Sequence, residues 1–369
     1  MATRERASLK QSSFKMERLR KRLLSWYDEN KRDLPWRASR DPYAIWVSEI
    51  MLQQTRVAVV VDRYQAFLKR FPSLISLALA NEEEVLALWS GLGYYRRARM
   101  LHKAAQYVAQ NYYGSLPRKA EELRELPGIG EYTAAAIASI AHGEPVAVVD
   151  GNVERVLCRL AGWDESADLR RKVGELAARM VDEARPGDFN QALMELGALV
   201  CLPRGPRCTD CPLNADCNTR GEHKTEKRAP MKSVEVAYAL SVRTSEKKTA
   251  HDRGGREVLL EKRPATVSVM TGMWELPQLS EAVVPPEELR MTVRHAIMQT
   301  NYYVRVRTVF EDDVARLTVA PHGERRWIPL GEAREMALTG LARKVLTRAH
   351  LLPMAPLDII APARDGEIV

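Results

Sequence analysis

Two kinds of residue in this 369-residue chain have the types and spacing to do chemistry, thiols and carboxylates. Four of the five cysteines stand at Cys201, Cys208, Cys211 and Cys217, a C-x6-C-x2-C-x5-C ladder. Four thiolates bind either zinc or an iron–sulfur cluster, and ligand type alone does not separate the two. A zinc knuckle usually draws on two closely spaced cysteine pairs. This ladder has one such pair with single ligands outside it, which favours [4Fe–4S]. Arg204 and Arg207 lie between the first two cysteines, so a cluster would brace a short basic loop suited to phosphates. Cys158, inside the apolar run Val153–Leu160, reads as a small core residue.

Among the carboxylates, Glu49 has Ile45, Trp46, Leu52 and Gln53 as its helical neighbours three and four positions away. An apolar setting of that kind raises a carboxyl above its reference value of about 4.3 and keeps part of it protonated near neutrality. Asp150 follows Val148-Val149 and precedes Gly151-Asn152, with Asn152 placed to cap the helix from 153 to 160. A turn or capping role is the other reading of Asp150. Upstream, Leu126-Pro127-Gly128-Ile129-Gly130 separates two helical segments. Gly128 and Gly130 let the backbone turn tightly and bring its N–H groups close to a phosphate at a helix N-terminus, although a bare turn would look the same. Tyr94-Tyr95 precedes Arg96-Arg97-Ala98-Arg99. This run suits stacking plus phosphate contact, or else is a core aromatic pair beside a solvated basic face.

The elements that must position these residues fall into two grammars. From 23 to about 199 helix follows helix, punctuated by Pro and Gly. Asp41-Pro42 reads as an N-cap with proline at the first helical position, and Tyr43, Trp46, Val47, Ile50 and Met51 recur at a buried-face spacing. From 234 onward strands appear at 234–242, 258–260, 302–310 and 327–330, with a helix at 341–352. The expected division is a basic N-terminal arm (1–22), a helical domain (23–217) that ends in the cysteine loop (201–217), a linker (218–232), a smaller α+β domain (233–352) and a tail (353–369). Lys+Arg 56 against Asp+Glu 48 gives a net charge of +8, which favours a polyanionic partner only weakly. With 46% hydrophobic and 28% charged residues the composition is that of a globular protein. No uncharged apolar run reaches the length of a membrane span, and the basic first 22 residues lack the apolar core of a secretory signal. A cytoplasmic bacterial monomer is expected.

Taken together, these features resemble the helix-hairpin-helix DNA glycosylases that carry an iron–sulfur cluster, and within them the MutY-type adenine DNA glycosylases. The likeness is close from Leu23 to Cys217 and loose from Val234 to Leu352. It is carried by Trp46-Val47-Ser48-Glu49-Ile50-Met51-Leu52-Gln53-Gln54-Thr55, Gly91-Leu92-Gly93-Tyr94-Tyr95, the glycine hairpin, Val149-Asp150-Gly151-Asn152 and the cysteine ladder. The resemblance implies a mainly α helix-hairpin-helix domain with a [4Fe–4S] cluster on the four cysteines, followed by a Nudix-like α+β domain. It implies base excision repair: hydrolysis of the N-glycosidic bond of adenine mispaired with 8-oxoguanine or guanine in double-stranded DNA.

Such a bond breaks through an oxocarbenium-like transition state and needs a proton on the leaving base and negative charge at the sugar. By resemblance Glu49 protonates adenine N7 and then handles water. Asp150 stays ionised and stabilises or covalently traps the sugar cation, Tyr132 hydrogen-bonds near both, and Asn152 orients Asp150. Gln54 and Tyr94, with Leu92 alongside, would wedge into the stack as the base is extruded. Gly128 and Gly130, and separately Arg204 and Arg207, would hold phosphates. The related endonuclease III carries a lysine nucleophile where this chain has Tyr132, so a monofunctional enzyme is expected. The alternatives are a thymine glycosylase, a glycosylase-lyase, or a non-catalytic iron–sulfur DNA-binding protein.

Two departures stand out. No acidic Nudix box follows Trp274-Glu275-Leu276-Pro277, so pyrophosphatase activity is not expected. The Phe-Ser-His loop that reads the oxidised base in the family also has no counterpart, since His295-Ala296 runs into Ile297-Met298-Gln299. Gln299 is the polar side chain left to serve there, and weaker discrimination of 8-oxoguanine from guanine is expected.

Overall fold

The computed structural model describes residues 2–164, 166–221, 230–244, 255–264, 266–267, 269–297, 299–321 and 323–353, with side chains from residue 16 onward. Most of the expected linker and tail lies outside these residues. The helices in chain order are α1 (Ala2–Asn30), α2 (Pro42–Leu52), α3 (Val57–Arg70), α4 (Leu74–Ala78), α5 (Glu82–Leu88), α6 (Arg96–Asn111) and α7 (Ala120–Leu123). They continue with α8 (Glu131–His142), α9 (Gly151–Ala161), α10 (Leu169–Met180), α11 (Pro186–Leu199), α12 (Glu311–Leu317), α13 (Leu330–Ala333) and α14 (Gly340–Arg348). None among the described residues is long and apolar enough to cross a membrane. The described residues divide into two compact units, one holding those up to 79 and from 100 to 221, the other 80–99 and those from 230 to 353.

The first unit is all helical. α2 starts where the sequence says it should: the Asp41 carboxylate accepts from the Tyr43 N–H at 3.1 Å, and Pro42 opens the helix. Every residue from Tyr43 to Met51 is buried, so α2 is a core helix with no solvent face, and Ser48 and Glu49 are enclosed with the apolar side chains. Gly143 and Gly162 end α8 and α9 in left-handed backbone (φ 71° each), the usual glycine stop. A second core joins α1 to α9, α10 and α11 through Leu23, Tyr27, Val156, Leu157, Met180, Phe189 and Leu196.

That core corrects the expected N-terminal arm. Residues 2–22 are the front of α1. Leu19, Leu23, Leu24 and Tyr27 lie on one face and are buried, which docks the helix. Some of its basic charge is used internally: Arg18 and Arg22 pair with Asp216 at 2.5 and 3.1 Å, and Arg20 donates to the carbonyls of Arg179 and Met180.

The second unit is α+β. Its strands are β1 (Lys232–Leu240), β2 (Val242–Thr244), β3 (Arg256–Lys262), β4 (Trp274–Glu275), β5 (Leu289–Ile297), β6 (Thr300–Thr308) and β7 (Arg325–Pro329). One sheet has the order β1-β6-β5, with β1 parallel to β6 (Lys232 opposite Thr300) and β5 antiparallel to it. The other runs β2-β3-β4, with β7 antiparallel to β3. Side chains alternate between two cores, as strand pleating requires. Tyr238, Leu240, Val258 and Leu260 face one core with α14, whereas Ala237, Ala239 and Leu259 face another with Val314 of α12.

β5 has no counterpart among the expected strands, although Leu289, Met291, Val293 and Ile297 fall on alternate positions. Only Val293 of these is fully buried, so the alternation belongs to a lightly covered edge strand.

Candidate active site

Glu49 sits on α2 with 6% of its surface exposed, and its Oε2 accepts a hydrogen bond of 2.8 Å from the Tyr132 hydroxyl on α8. Tyr132 also lies 3.4 Å from the Met194 sulfur on α11. Burial is the strongest influence on Glu49 and lifts it from 4.5 to about 7. The Tyr132 hydrogen bond and the Arg37 charge pull it down, and the Asp150 charge pushes it up. A carboxyl in that position carries a proton on a large fraction of molecules at neutral pH. Burial and the two neighbouring carboxylates hold the Tyr132 phenol well above its usual value, so it remains a donor.

Asp150 caps α9, and this corrects the expectation that Asn152 would. Asp150 takes extended backbone (φ −107°, ψ −177°), its Oδ1 accepts from the Val153 N–H at 2.7 Å, and the helix begins at Gly151. Asn152, already inside the helix, donates from Nδ2 to the other Asp150 oxygen at 3.0 Å. Its own Oδ1 accepts from Arg155 Nη2 at 2.8 Å, and Arg155 Nε donates to the Cys201 carbonyl at 2.8 Å. Each Asp150 oxygen thus accepts one N–H donor, one from the backbone of α9 and one from the Asn152 side chain.

Sequence reading missed the groups behind these carboxylates. Arg37, which acts on Glu49, is tied to Glu195 at 2.9 Å, and Arg32 reaches the same carboxylate at 2.8 Å. Burial would raise Glu195, but hydrogen bonds from Arg32 and Arg37 outweigh it and bring Glu195 down to about 2. Nothing in the sequence announces pairs so far apart. Gly197 did leave a signal as a glycine inside a helix. A Cβ there would fall 2.7 Å from Asn152 Cβ, so α11 can approach the Asn152 turn only without a side chain.

Other expected residues of this unit lie at its surface. Gln54 is exposed and held in left-handed backbone (φ 55°), a rare conformation for a residue other than glycine. Gly128 is exposed with φ 77°, and a Cβ there would meet Met100 Cβ at 2.9 Å. Gly130 is the exposed N-cap of α8 with open space around it. Arg204 and Arg207 are exposed.

The four cysteines are free thiols lining one cavity with Arg159, Leu196, Val200 and Leu213. Burial pushes Cys211 up to about 11 and also raises Cys217. Arg159 Nη1 lies 3.4 Å from Cys201 Sγ and donates to the Leu202 carbonyl at 2.7 Å. Among the described residues no three His, Cys, Asp or Glu side chains stand close enough to share a single ion. Cys158 is a half-buried thiol packed against the α9 to α11 core.

In the second unit, Tyr94 is 47% exposed at φ 46°, between Gly93 and the start of α6. Leu92, expected beside it as a DNA-contacting residue, is 4% exposed and so offers almost no surface in this structure. Gln299 is exposed in the turn between β5 and β6, where its carbonyl accepts from the Lys232 N–H at 2.9 Å.

The family model described as HhH-GPD superfamily base excision DNA repair protein matches residues 47–182. A solved thermostable thymine-DNA glycosylase is 30% identical with a TM-score of 0.52, and the match covers 56% of this chain and 97% of that one. The chain belongs to the HhH-GPD superfamily.

The HhH-GPD stretch contains Glu49, Tyr132, Asp150 and Asn152, and the cysteine ladder follows it. Among curated relatives, the adenine DNA glycosylase of Homo sapiens is 53% identical over 210 residues, 54% of this chain and 38% of the human protein. That of Arabidopsis thaliana is 39% identical over 331 residues, 78% of this chain and 51% of the plant protein. That of Buchnera aphidicola subsp. Acyrthosiphon pisum is 38% identical over 216 residues, 58% of this chain and 61% of the bacterial protein. The chain thus spans about half the length of the curated relatives it matches.

Proposed function

We propose that this HhH-GPD protein is a monofunctional adenine DNA glycosylase of base excision repair, acting in the cytoplasm on adenine opposite 8-oxoguanine or guanine in duplex DNA. The observation that carries the reading is a pair of carboxyl groups in different settings: Glu49 buried and raised to about 7, Asp150 accepting from two N–H donors. The relatives named as adenine DNA glycosylases supply the substrate class.

In the proposed reaction Glu49 gives its proton to N7 of the extruded adenine as the C1′–N9 bond breaks and its electron pair leaves with the base. Asp150 faces the resulting sugar cation. Tyr132 keeps the Glu49 carboxyl in one orientation by its 2.8 Å bond. Water then adds at C1′, and the carboxylate left on Glu49 takes the water proton, which restores the acid. No lysine stands at 132 to form a Schiff base, which supports hydrolysis without strand cleavage.

Gln54 in the first unit and Tyr94 in the second are each exposed in strained backbone, and each is a side chain suited to entering a base stack. Gly128, Gly130, Arg204 and Arg207 would contact phosphates. Cys201, Cys208, Cys211 and Cys217 would hold a [4Fe–4S] cluster. When bound it would cross-link the loop after α11 and so fix the Cys201 carbonyl that receives Arg155. The α+β unit is read as Nudix-like, with Gln299 at the loop facing the opposite base.

The test is base release from duplexes with A:8-oxoguanine, A:G and T:G pairs, revealed by alkali cleavage at abasic sites. Release from both adenine duplexes and none from T:G supports the reading. Release from T:G alone favours the thymine activity named for the structural relative. A preference for 8-oxoguanine that falls in Gln299→Ala supports its assigned role.

A further inference from the structure

Residues 80–99 lie inside the HhH-GPD match yet belong to the second unit. They carry Tyr94, and several of their hydrogen bonds and ion pairs run to residues of the C-terminal part of that unit. Arg343, on α14, donates from Nε to the hydroxyl of Ser90 at 2.7 Å, and Ser90 is fully buried. The Tyr95 hydroxyl reaches the Leu338 carbonyl at 3.4 Å, Arg99 donates to the Thr271 carbonyl, and Lys262 pairs with Glu83 at 2.5 Å.

Between Ser90 and Tyr95 the chain makes a turn with three left-handed residues, Gly91 (φ 97°), Gly93 (φ 67°) and Tyr94 (φ 46°). The two glycines adopt this conformation freely, whereas Tyr94 does so only under strain. Such a residue persists only where its surroundings over-determine it. Here Trp89 Nε1 donates to the Gly93 carbonyl at 3.2 Å, and Arg97 donates to the Leu92 and Gly93 carbonyls at 2.9 and 3.2 Å. The Arg97 guanidinium lies 5.6 Å from the centres of both the Trp89 and Tyr94 rings. The result is an exposed aromatic ring held up from a fixed base.

α14 is itself anchored. Thr339 caps it by accepting from the Ala342 N–H at 3.1 Å and donates its hydroxyl to the buried Glu275 carboxyl on β4 at 2.7 Å. A line of polar contacts thus runs from β4 through the start of α14 to the base of the Tyr94 turn.

We propose that Arg343 is a positioning residue for base extrusion: through Ser90 it holds the turn that displays Tyr94, so the C-terminal unit sets the geometry of the residue that enters the DNA stack. The role in DNA rests on the reading of the chain as an adenine glycosylase. The brace itself does not.

Full-length Arg343→Ala, Arg343→Lys and Ser90→Ala proteins test it by amide hydrogen exchange of the 90–95 segment. They are also compared by fluorescence of 2-aminopurine placed opposite 8-oxoguanine and by single-turnover adenine release. Exchange in that segment should rise about tenfold in Arg343→Ala and Ser90→Ala, with thermal midpoints little changed. The fluorescence gain on binding and the release rate should fall together by a similar factor. Arg343→Lys should recover part of both. Unchanged exchange in both alanine variants overturns the brace. Raised exchange with wild-type fluorescence and release overturns the positioning role. Failure of the wild-type protein to release adenine would count against the functional reading, while exchange would still decide the brace.

Discussion

The Tyr132 hydroxyl donates to Glu49 Oε2 at 2.8 Å, and this bond opposes the burial that raises the Glu49 carboxyl to about 7. Removing the bond should therefore raise that value further. In Tyr132→Phe the alkaline limb of the single-turnover pH profile is expected to move up by a fraction of a unit to one unit. An alkaline limb that moves down would contradict the assigned sense of this contact.

The wild-type profile follows from the same carboxyl. A proton donor with a value of about 7 works below it and fails above it. Adenine release should hold level from about pH 5.5 to 6.5 and fall roughly tenfold per unit once pH passes well above 7. Single-turnover assays across that range, with DNA in place of saturating substrate turnover, measure it. In Glu49→Gln no such limb should remain.

Stability should follow pH through the same group. The Glu49 value in the folded chain, about 7, lies above the ordinary 4.5, so between these values the folded state binds more protons than the unfolded one. The stability contributed by the proton is fully present below about pH 4.5 and is lost as pH rises through about 7. Glu275, buried in the second unit and raised to about 7 by burial against the opposing Thr339 bond, adds a second fall in the same window. Each unit of raised value is worth about 1.4 kcal/mol. Glu49→Gln and Glu275→Gln should each unfold at a higher temperature than wild type at pH 8, and calorimetry at pH 5 should show the advantage gone.

Tyr132→Lys places an amine beside both carboxylates. It should add strand cleavage at the abasic product, and borohydride should trap a covalent protein–DNA adduct absent from wild type. The cysteine ladder gives an independent expectation. Freshly purified protein should absorb broadly in the visible and carry about four irons per chain. Cys211→Ser should lose the colour together with much of the soluble protein, whereas zinc in place of iron would count against the cluster.

Much of this site is legible in the sequence because its signals are local. The Asp41-Pro42 cap and the glycine hairpin each lie within a few residues, where backbone rules apply directly, and the four cysteines fall within 17 residues of sequence. The Arg37–Glu195 pair and the Arg343–Ser90 contact span 158 and 253 residues and depend on packing alone. Asn and Asp serve the cap position about equally well, so the sequence does not separate Asn152 from Asp150, and the backbone angles of Asp150 decide between them. The glycines around Leu92 mark a turn without saying which way its side chain points, and its burial is visible only in the structure. β5 shows the opposite failure: its period-two pattern is present, but at the edge of a sheet only Val293 needed to be fully covered.

The central claim is that Glu49 and Asp150 act on one bond, and its most direct test is single-turnover release of adenine from an A:8-oxoguanine duplex by wild type, Glu49→Gln and Asp150→Asn, with binding to the same duplex measured alongside. The account predicts a loss of at least about a hundredfold in rate for each variant with binding retained. Release at the wild-type rate by either variant would contradict it.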